Sequence, residues 1–572
     1  MKKNRQTLSQ AKLPVAIVLT ALTVLAASSV HTAEAASRTP ANKKKLKIVF
    51  LMGQSNMVGY SNPRTAWYLT QPMYVPPPKM ALAKSRYYDA GYFYWQGVSF
   101  AYGSEEFNAK GKALLQERRA SRAHWRALVY GNFGRNPTRN DWRPEYGPAP
   151  KTGTKTMYPF LDKKAEEEGI YKRMVEHIES PENKLHPTVA LEQLSKRDDL
   201  IADDIKRVRD IFLKGTKPED FERLDEALKA RQAENRHFAN DRAAYAELVR
   251  KHVNLPIAQR TWITALGEVA GEPTGVQKDN VTQGVLSLGY AKHATNCGPE
   301  YPFGISFERW VDGPVLIVKC AWGGTSVHVP WRPPSLSNAE TPIEKATREA
   351  ANKAGAEEAK KGGFEFKPKQ PQTGTGKVWV RAVAHIQKVL ADPGRYHPHY
   401  DPKAGYELAG LVWFQGWNDM RNPAYGEQLV TFIKDFRKEV KAPELPVVCG
   451  LLGHSAWKHT TFDGNVNSGM LYAARDADLE GTVDIVNTVK YLPLELGFKG
   501  SVKAAYGAES DEYKKAEQII NRSCSKDGTH YFGSAKFLYL TGDAMARSLA
   551  NLVKGGKPTI HEEAEAILKL GQ

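Results

Sequence analysis

Short apolar runs alternate along the chain with longer stretches in which apolar residues recur every three or four positions. Near-continuous apolarity is typical of strands in a parallel sheet, because both faces of such strands are buried. Weaker runs of the same kind begin at Thr261 and Val483. The clearest runs, each bounded by turn residues, are 46–52, 314–322, 408–416 and 446–453.

Helical spacing between these runs, as in residues 378–392, supplies the crossover connections that parallel strands need. The pattern therefore predicts an α/β protein with a central parallel sheet of about five strands and helices on both of its faces.

Two segments interrupt this pattern. Residues 104–254 are rich in Lys, Arg, Glu and Ala and carry a capping-box pattern at 216–219, which predicts a mostly helical insertion. Residues 338–376 contain few apolar side chains and predict a solvated insertion. We expect the remainder, 46–103 and 255–555, to form one discontinuous domain, followed by a tail at 556–572. The apolar positions at helical spacing in the first insertion are Ile201, Ile205, Val208 and Phe212.

The first 36 residues have the pattern of a secretory signal. Basic residues precede an apolar stretch at 13–27, and Ala33 and Ala35 provide the small residues of a cleavage site. The apolar stretch is shorter than the roughly 20 residues that a membrane span needs. We therefore predict an exported protein, periplasmic or extracellular, without a permanent membrane span.

Composition excludes fewer classes of function than the predicted secretory signal does. The net charge of +17 favours a soluble protein or one drawn to acidic polysaccharides, since an exported protein is poorly placed to meet nucleic acid. The oligomeric state stays open. Disulfides are allowed in an oxidising compartment, but their pairing is open, and none of the four cysteines has metal-ligand spacing. These are Cys297, Cys320, Cys449 and Cys524, of which Cys320 and Cys449 lie inside apolar runs.

Polar and glycine-rich turns follow three of the predicted strands. Ligands of open parallel sheets bind beyond the carboxyl ends of the strands, so these turns are expected to converge. Ser55, after the first strand, is a candidate nucleophile at the head of a helix, and the alternative is an ordinary helix cap. Gly324 and Asn418 are candidate oxyanion donors, and their alternatives are a tight turn and a turn cap.

A serine nucleophile needs a base, and a candidate lies near the end of the chain. Asp527 precedes His530 by three residues in the stretch SKDGTHYFG. One loop can therefore carry both groups, with the carboxylate orienting the imidazole while its other nitrogen faces Ser55.

Taken in order, five motifs resemble the SGNH hydrolases, and most of all the sialate O-acetylesterase-like group close to family six of the carbohydrate esterases. Ser55, Gly324 (or Gly323), Asn418 and His530 match the four residues of the superfamily name, and Asp527 stands in the position of the acidic partner. The motifs are GQSNM, NCGPEYPFG, KCAWGGTS, WFQGWND and DGTHYFG.

The resemblance implies a flavodoxin-like three-layer α/β/α sandwich that removes acetyl groups from sugars without a metal or a cofactor. Ser55 would attack the acetyl carbonyl with His530 as base, and the amides of Ser55 and Gly324 and the side chain of Asn418 would hold the oxyanion. Many relatives have Glu where this chain has Trp417. The residues expected to contact substrate are Gln54, Gln415, Trp417 and Trp331. By the same resemblance Gln415 would orient the acyl group or an oxyanion donor, and Trp331 is also an ordinary core residue type.

Two alternatives stay open beside a carbohydrate O-acetylesterase. One is an esterase on the same fold that acts on lipid or simple acyl esters. The other is a carbohydrate-binding protein that has kept the fold without the activity. The sequence does not identify the acetylated sugar, which ranges from sialic acid to plant, algal and bacterial polysaccharides.

Overall fold

A computed structural model of the protein describes residues 44–77, 197–267, 280–453 without 364 and 421, and 464–559 without 527 and 528, together with isolated positions between 113 and 176. The predicted signal segment 1–36, most of the stretch 104–196 and the candidate Asp527 lie outside the described residues.

In the part of the chain that the structure describes, the apolar runs and one further strand form a seven-stranded sheet in the order β3-β2-β4-β1-β5-β6-β7. All neighbouring strands are parallel except β2 and β3, which are antiparallel. The strands are β1 (Leu46–Gly53), β2 (Thr261–Gly267), β3 (Asn280–Val285), β4 (Val315–Ala321), β5 (Tyr406–Phe414), β6 (Val447–Gly450) and β7 (Val483–Val486).

The predicted α/β class and the largely parallel sheet are confirmed, but the described residues form seven strands rather than about five. The strand that the pattern misses is β3, whose sequence is NVTQGV. It lies at the edge of the sheet, and Val281 is 48% exposed. A strand with one neighbour and a solvated side has no need of a continuous apolar run, so its pattern is weak.

Helices fill the connections between strands. Their bounds are α1 (Ser55–Val58), α2 (Arg197–Leu200), α3 (Ala202–Phe212), α4 (Pro218–Glu234), α5 (Arg242–His252), α6 (Glu300–Trp310), α7 (Pro342–Gly362), α8 (Lys377–Ala391), α9 (Tyr425–Glu439), α10 (Gly464–Ala474), α11 (Lys499–Tyr506), α12 (Asp511–Ser523) and α13 (Ala535–Val553). Short 3₁₀ helices include Pro63–Thr70, Trp417–Asp419 and His530–Gly533.

Neighbouring residues of β5 show how the sheet is covered. Successive side chains of a strand point to opposite faces. Trp413 packs against Phe432 of α9, with ring centroids 4.4 Å apart, whereas Phe414 lies parallel to the ring of Tyr531. Helix α13 contacts β5, β6 and β7 and packs along α6.

The helices from 197 to 252 follow the predicted spacing, because Ile205, Val208 and Phe212 are buried on one face of α3. The predicted capping box is displaced by one residue. The N-cap of α4 is Lys217 rather than Thr216, and the Asp220 carboxylate accepts a hydrogen bond from the Lys217 backbone N–H at 2.7 Å. Pro218 accounts for the shift, because proline is favoured at the first position of a helix.

The described part of the chain bears on two further predictions, the state of the cysteines and the membrane span. None of the four cysteines forms a disulfide, and Cys320 and Cys449 are buried, as their position inside strands predicts. Among the residues that the structure describes, no helix combines the length and the apolarity that crossing a membrane requires.

Candidate active site

Three turns begin side by side at the carboxyl edge of the sheet. Gly53, the last residue of β1, is in register with Ala321 of β4 and with Phe414 of β5. The chain segments that follow are joined directly, since the backbone N–H of Trp322 donates to the Gly53 carbonyl and that of Gln54 donates to the Phe414 carbonyl. The topology thus assembles the turns that carry Ser55, Gly324 and Asn418.

Ser55 is the first residue of α1 and is partly exposed. The N-cap of this helix is Gln54, and no side chain caps it, so the alternative of Ser55 as a helix cap is not what the structure contains. The first backbone N–H groups of a helix have no intrahelical acceptor. The amide and the hydroxyl of Ser55 therefore lie together at the start of the helix.

The end of α1 is fixed by close packing against the NCGPE motif. Gly59 has a φ of +92°, and a Cβ atom at this position would lie 2.3 Å from the Cα atom of Gly298. Two further residues along, Ser61 and Cys297 exchange backbone hydrogen bonds. A side chain at 59 is excluded by both space and conformation, so the sequence needs glycine here.

A buried ion pair lies behind the same helix. The Lys319 ammonium donates to the Glu300 carboxylate at 2.7 Å, to the Val58 carbonyl at 2.9 Å and to the Tyr290 carbonyl at 2.8 Å. Burial lowers the pKa of Lys319 and raises the pKa of Glu300, and the ion pair opposes both shifts. The three donors of the ammonium each have an acceptor, and one of these is the last carbonyl of α1.

Gln54, which we expected to contact substrate, is instead buried and 1% exposed. Its Oε1 atom accepts hydrogen bonds from the backbone N–H groups of Gly416 and Asn418, at 3.2 and 3.4 Å, and from Gln415 Nε2 at 3.3 Å. The residue before the candidate nucleophile is thus bonded to the turn that carries Asn418.

Gln415 is also buried, so its expected contact with substrate is replaced by contacts within the protein. Its Nε2 atom donates to the Thr325 carbonyl at 2.9 Å and to Asp419 Oδ2 at 2.6 Å. The same carboxylate oxygen accepts from the Val327 backbone N–H at 2.8 Å. Burial raises the pKa of Asp419, and these hydrogen bonds oppose the shift.

Trp331 is a correction to the expected substrate contacts. Its side chain is fully buried, and its Nε1 donates to Thr325 Oγ1 at 3.0 Å. The indole lies edge-on to Trp322 and Trp413, at 5.7 and 5.5 Å between ring centroids, so no face is free to stack on a sugar. Trp417 is partly exposed and keeps its place among the expected contacts.

The two predicted oxyanion donors lie at the surface of the turns. Gly324 is exposed and has a φ of +70°, so the backbone conformation alone accounts for glycine there. Asn418 is also exposed. The side chain that joins its turn to the neighbouring one is not that of Asn418 but that of the adjacent Asp419.

The segment that carries His530 lies against the segment that follows Ser55. The His530 imidazole stacks on the ring of Tyr60, with 4.0 Å between centroids and 16° between planes. Ser525 Oγ donates to the Tyr60 carbonyl at 3.0 Å and accepts from the Asn62 backbone N–H at 3.2 Å. Residues that are 470 positions apart in the chain are therefore in direct contact.

His530 begins a turn with an unusual backbone. The φ angles of His530, Tyr531 and Phe532 are +51°, +54° and +61°. This left-handed conformation costs about 1–2 kcal/mol per residue for side chains other than glycine. The turn is held by the backbone N–H groups of Ser525 and Lys526, which both donate to the Phe532 carbonyl. Strain of this kind persists where the surroundings fix it, and it concentrates at functional sites.

The described residues contain no group of three or more His, Cys, Asp or Glu side chains that could hold a metal ion. The residues that sequence reasoning missed are Tyr60, Glu300, Lys319 and Asp419. Of these, Lys319 had a visible signal, because a lysine inside an apolar strand needs a buried partner.

Comparison with known families now bears on this geometry. Residues 370–491 match the family model described as carbohydrate esterase, sialic acid-specific acetylesterase. The chain resembles the sialate O-acetylesterase-like SGNH group. The match confirms the resemblance that the motifs indicated and supports a carbohydrate esterase activity. Its range includes β5, the 415–419 turn, β6 and β7, and it includes neither Ser55 nor His530.

A search of curated proteins found no match. The solved structures that are similar to parts of the chain include the following three. A protein of Arabidopsis thaliana is 14% identical with a TM-score of 0.24, over 46% of this chain and 82% of that one. A carbohydrate acetylesterase from Xanthomonas citri is 13% identical with a TM-score of 0.21, over 44% and 50%. NanS is 12% identical with a TM-score of 0.25, over 40% and 69%.

Proposed function

We propose that the protein is an exported serine esterase that removes O-acetyl groups from a carbohydrate through an acetyl-serine intermediate. The observation that carries the proposal is the contact of His530 with Tyr60, because it brings the candidate base next to the segment that begins with Ser55. The match to the sialic acid-specific acetylesterase family supports the carbohydrate as substrate class.

The proposed reaction has two steps. The Ser55 hydroxyl attacks the acetyl carbonyl while His530 takes its proton, and His530 then returns the proton to the departing sugar oxygen. In the second step His530 takes a proton from a water molecule that attacks the acetyl-serine, and it returns this proton to the Ser55 oxygen as acetate leaves. Asp527 is proposed to hold the imidazole in the required tautomer.

The oxyanion of each tetrahedral intermediate is proposed to lie between the amides of Ser55 and Gly324 and the Asn418 side chain. The joined turns after β1, β4 and β5 support this assignment, since they begin at the same level of the sheet. A donor lost from such a site typically lowers turnover by about 100-fold to 1,000-fold.

We also propose that the fold is a flavodoxin-like three-layer sandwich. The packing of Trp413 and Phe414 against different elements supports this arrangement. We propose a discontinuous hydrolase domain of residues 46–103 and 255–555 with insertions at 104–254 and 338–376, preceded by a signal that directs export.

The test is acetate release from a chromogenic acetyl ester. We expect Ser55→Ala and His530→Ala each to lower kcat at least about 1,000-fold. Ser510→Ala is the matched control: Ser510 caps α12 at 3.2 Å from the Tyr513 N–H, so its loss should cost about 1 kcal/mol of stability and leave kcat unchanged.

A folded wild-type protein without activity, or a Ser55→Ala variant as active as wild type, would contradict the proposal. Assays with O-acetylated sialic acid, acetylated polysaccharides and longer acyl esters then distinguish a carbohydrate acetylesterase from a general esterase. Faster turnover of the longer acyl chains would favour the lipid or simple-ester alternative.

A further inference from the structure

We propose that Tyr245, on helix α5 of the proposed insertion, is a positioning residue for His530. Through the Asn62 side chain it fixes residues 60–65, the segment against which the His530 turn is held. The inference rests on the proposed function, because it treats His530 as the base of that reaction. The insertion then contributes to catalysis without touching the substrate.

The first of these contacts joins the insertion to Asn62. Tyr245 is 1% exposed, and its hydroxyl donates to Asn62 Oδ1 at 3.1 Å. Burial raises the pKa of Tyr245, so the hydroxyl keeps its proton and stays a donor. The same oxygen of Asn62 accepts from the Arg64 backbone N–H at 3.0 Å and so caps the 3₁₀ helix Pro63–Thr70. The Asn62 side chain is therefore held by its own helix on one side and by α5 on the other.

The backbone of Asn62 continues the contacts to the turn of the candidate base. Its N–H donates to Ser525 Oγ at 3.2 Å, and the Ser525 hydroxyl reaches the Gly533 carbonyl at 2.9 Å. Its carbonyl accepts from Thr65 Oγ1 at 2.7 Å, and this Thr65 oxygen accepts from the Ala535 backbone N–H at 2.9 Å. Asn62 is thus connected through two hydroxyl groups to the end of the turn that carries the base.

The His530 turn depends on such contacts because of its conformation. Its first three residues have positive φ angles, which side chains other than glycine rarely adopt. The fourth, Gly533, has a φ of +60°, and a Cβ atom there would collide with Ser525 Oγ. Such a conformation persists where its surroundings fix it, so the contacts with residues 60–65 decide where the imidazole lies. The ring of Tyr60, on which that imidazole stacks, belongs to the same segment.

The insertion is also attached to the domain by ion pairs that do not involve Tyr245. They join α2 and α3 to α13, and they include Lys536 with Asp198 at 2.6 Å and Arg547 with Asp204 at 3.0 Å. One neutral hydrogen bond contributes little net stability beside several charged contacts. Loss of the Tyr245 hydroxyl should therefore leave the insertion docked.

The test is a double-mutant cycle of Tyr245→Phe with Asn62→Ser, read as kcat and KM with the chromogenic acetyl ester. Asn62→Ser keeps an oxygen that can cap the 3₁₀ helix, but its shorter side chain does not reach Tyr245. A misplaced base weakens the transition state, so each single variant should lower kcat about 5-fold to 20-fold with KM little changed. In the Asn62→Ser background, Tyr245→Phe should lower kcat less than about twofold, because its hydrogen-bond partner is then absent.

Two variants separate positioning from stability. Asn62→Asp keeps an acceptor at the same position and should hold kcat within about twofold of wild type. Tyr491→Phe is the matched control, because Tyr491 also donates from a buried hydroxyl to the insertion, to Asp204 Oδ2 at 2.7 Å. This control should lower the melting temperature without changing kcat.

Unchanged kcat in Tyr245→Phe would overturn the inference. Equal losses from Tyr245→Phe in both backgrounds would overturn it as well, since the hydroxyl would then not act through Asn62. So would a kcat loss in Asn62→Asp as large as that in Asn62→Ser, or one in Tyr491→Phe as large as that in Tyr245→Phe.

The comparison of Tyr245→Phe with Tyr491→Phe keeps the test decisive if Asn62→Ser does not fold. A kcat loss confined to Tyr245→Phe then supports the inference, and equal kcat values overturn it. Activity that survives Ser55→Ala would instead refute the proposed function. An inactive Ser55→Ala beside a fully active Tyr245→Phe would refute the positioning role alone.

Discussion

The buried ion pair behind α1 gives the sharpest prediction about stability. Replacing Lys319 with Met leaves the Glu300 carboxylate buried, with its side chain at 0% exposure and with backbone N–H groups as its partners, among them that of Gly298 at 2.8 Å and its own. Removing one partner of a buried pair costs about 3–5 kcal/mol. The variant also leaves the Val58 and Tyr290 carbonyls without the ammonium donor. We therefore expect the free energy of unfolding to fall by about 4 kcal/mol, which is a large part of what a domain usually has.

The assay is urea unfolding at pH 7 of wild type, Lys319→Met, Glu300→Gln and the double variant. Each single variant leaves one uncompensated buried charge, whereas the double variant leaves none. The double variant should therefore be more stable than Lys319→Met by roughly 2 kcal/mol. A double variant that loses the sum of the two single losses would refute the reasoning, because the two side chains would then be independent.

The pH dependence of Lys319→Met follows from the same charge. Burial raises the pKa of Glu300 in the folded state, and Lys319→Met removes the ammonium that opposes this shift. Just above the carboxyl's unfolded pKa the folded state then binds more protons than the unfolded state, so stability increases as the pH falls. Lys319→Met should thus recover part of its loss between pH 7 and pH 5, and a constant loss would contradict this.

Two further predictions test the histidines. Tyr60→Leu removes the ring that stacks on His530 and should lower kcat about 2-fold to 10-fold, which corresponds to the free energy of an aromatic contact. Tyr60→Phe keeps the ring and should keep the activity. Equal activity of the two variants would show that the stacked ring does not orient the base. Burial lowers the pKa of His385 from 6.5 to about 4, so between these pH values the unfolded chain binds more protons and stability falls as the pH is lowered. His385→Gln should reduce that fall by up to about 3 kcal/mol in urea unfolding, and an unchanged pH profile would contradict the assignment.

The sequence predicts the strands that have continuous apolar runs and misses the edge strand β3, for a physical reason. A strand such as β4 is buried at every position and so has a continuous apolar run. The edge strand β3 pairs with β2 alone and keeps polar residues, so its run carries no such signal. The start of α4 shows the same limit on a smaller scale, because Thr216 and Pro218 give competing signals for where the helix begins.

In the candidate site, the sequence predicts the residues proposed to carry out the reaction but not the buried residues that hold them in place. Ser55 and Asn418 are visible in the sequence because turns after strands are where a parallel sheet binds ligands, and His530 is visible because a serine nucleophile needs a base. Asp419 and Tyr60 are not, because their roles depend on partners that are distant in the chain, such as Val327 and His530. No local pattern encodes a pairing between residues so far apart.

Trp331 shows why residue type alone misplaces a substrate contact. Tryptophan suits both a sugar platform and a core, and the sequence does not say which face of the turn it occupies. The hydrogen bond from its indole to Thr325 places it under the glycine turn, where Gln415 also bonds to the Thr325 carbonyl. The aromatic core and the hydrogen bonds of Gln415 therefore share one residue. A substitution at Trp331 should thus disturb the Asn418 turn through packing, although the indole itself is out of reach of any sugar.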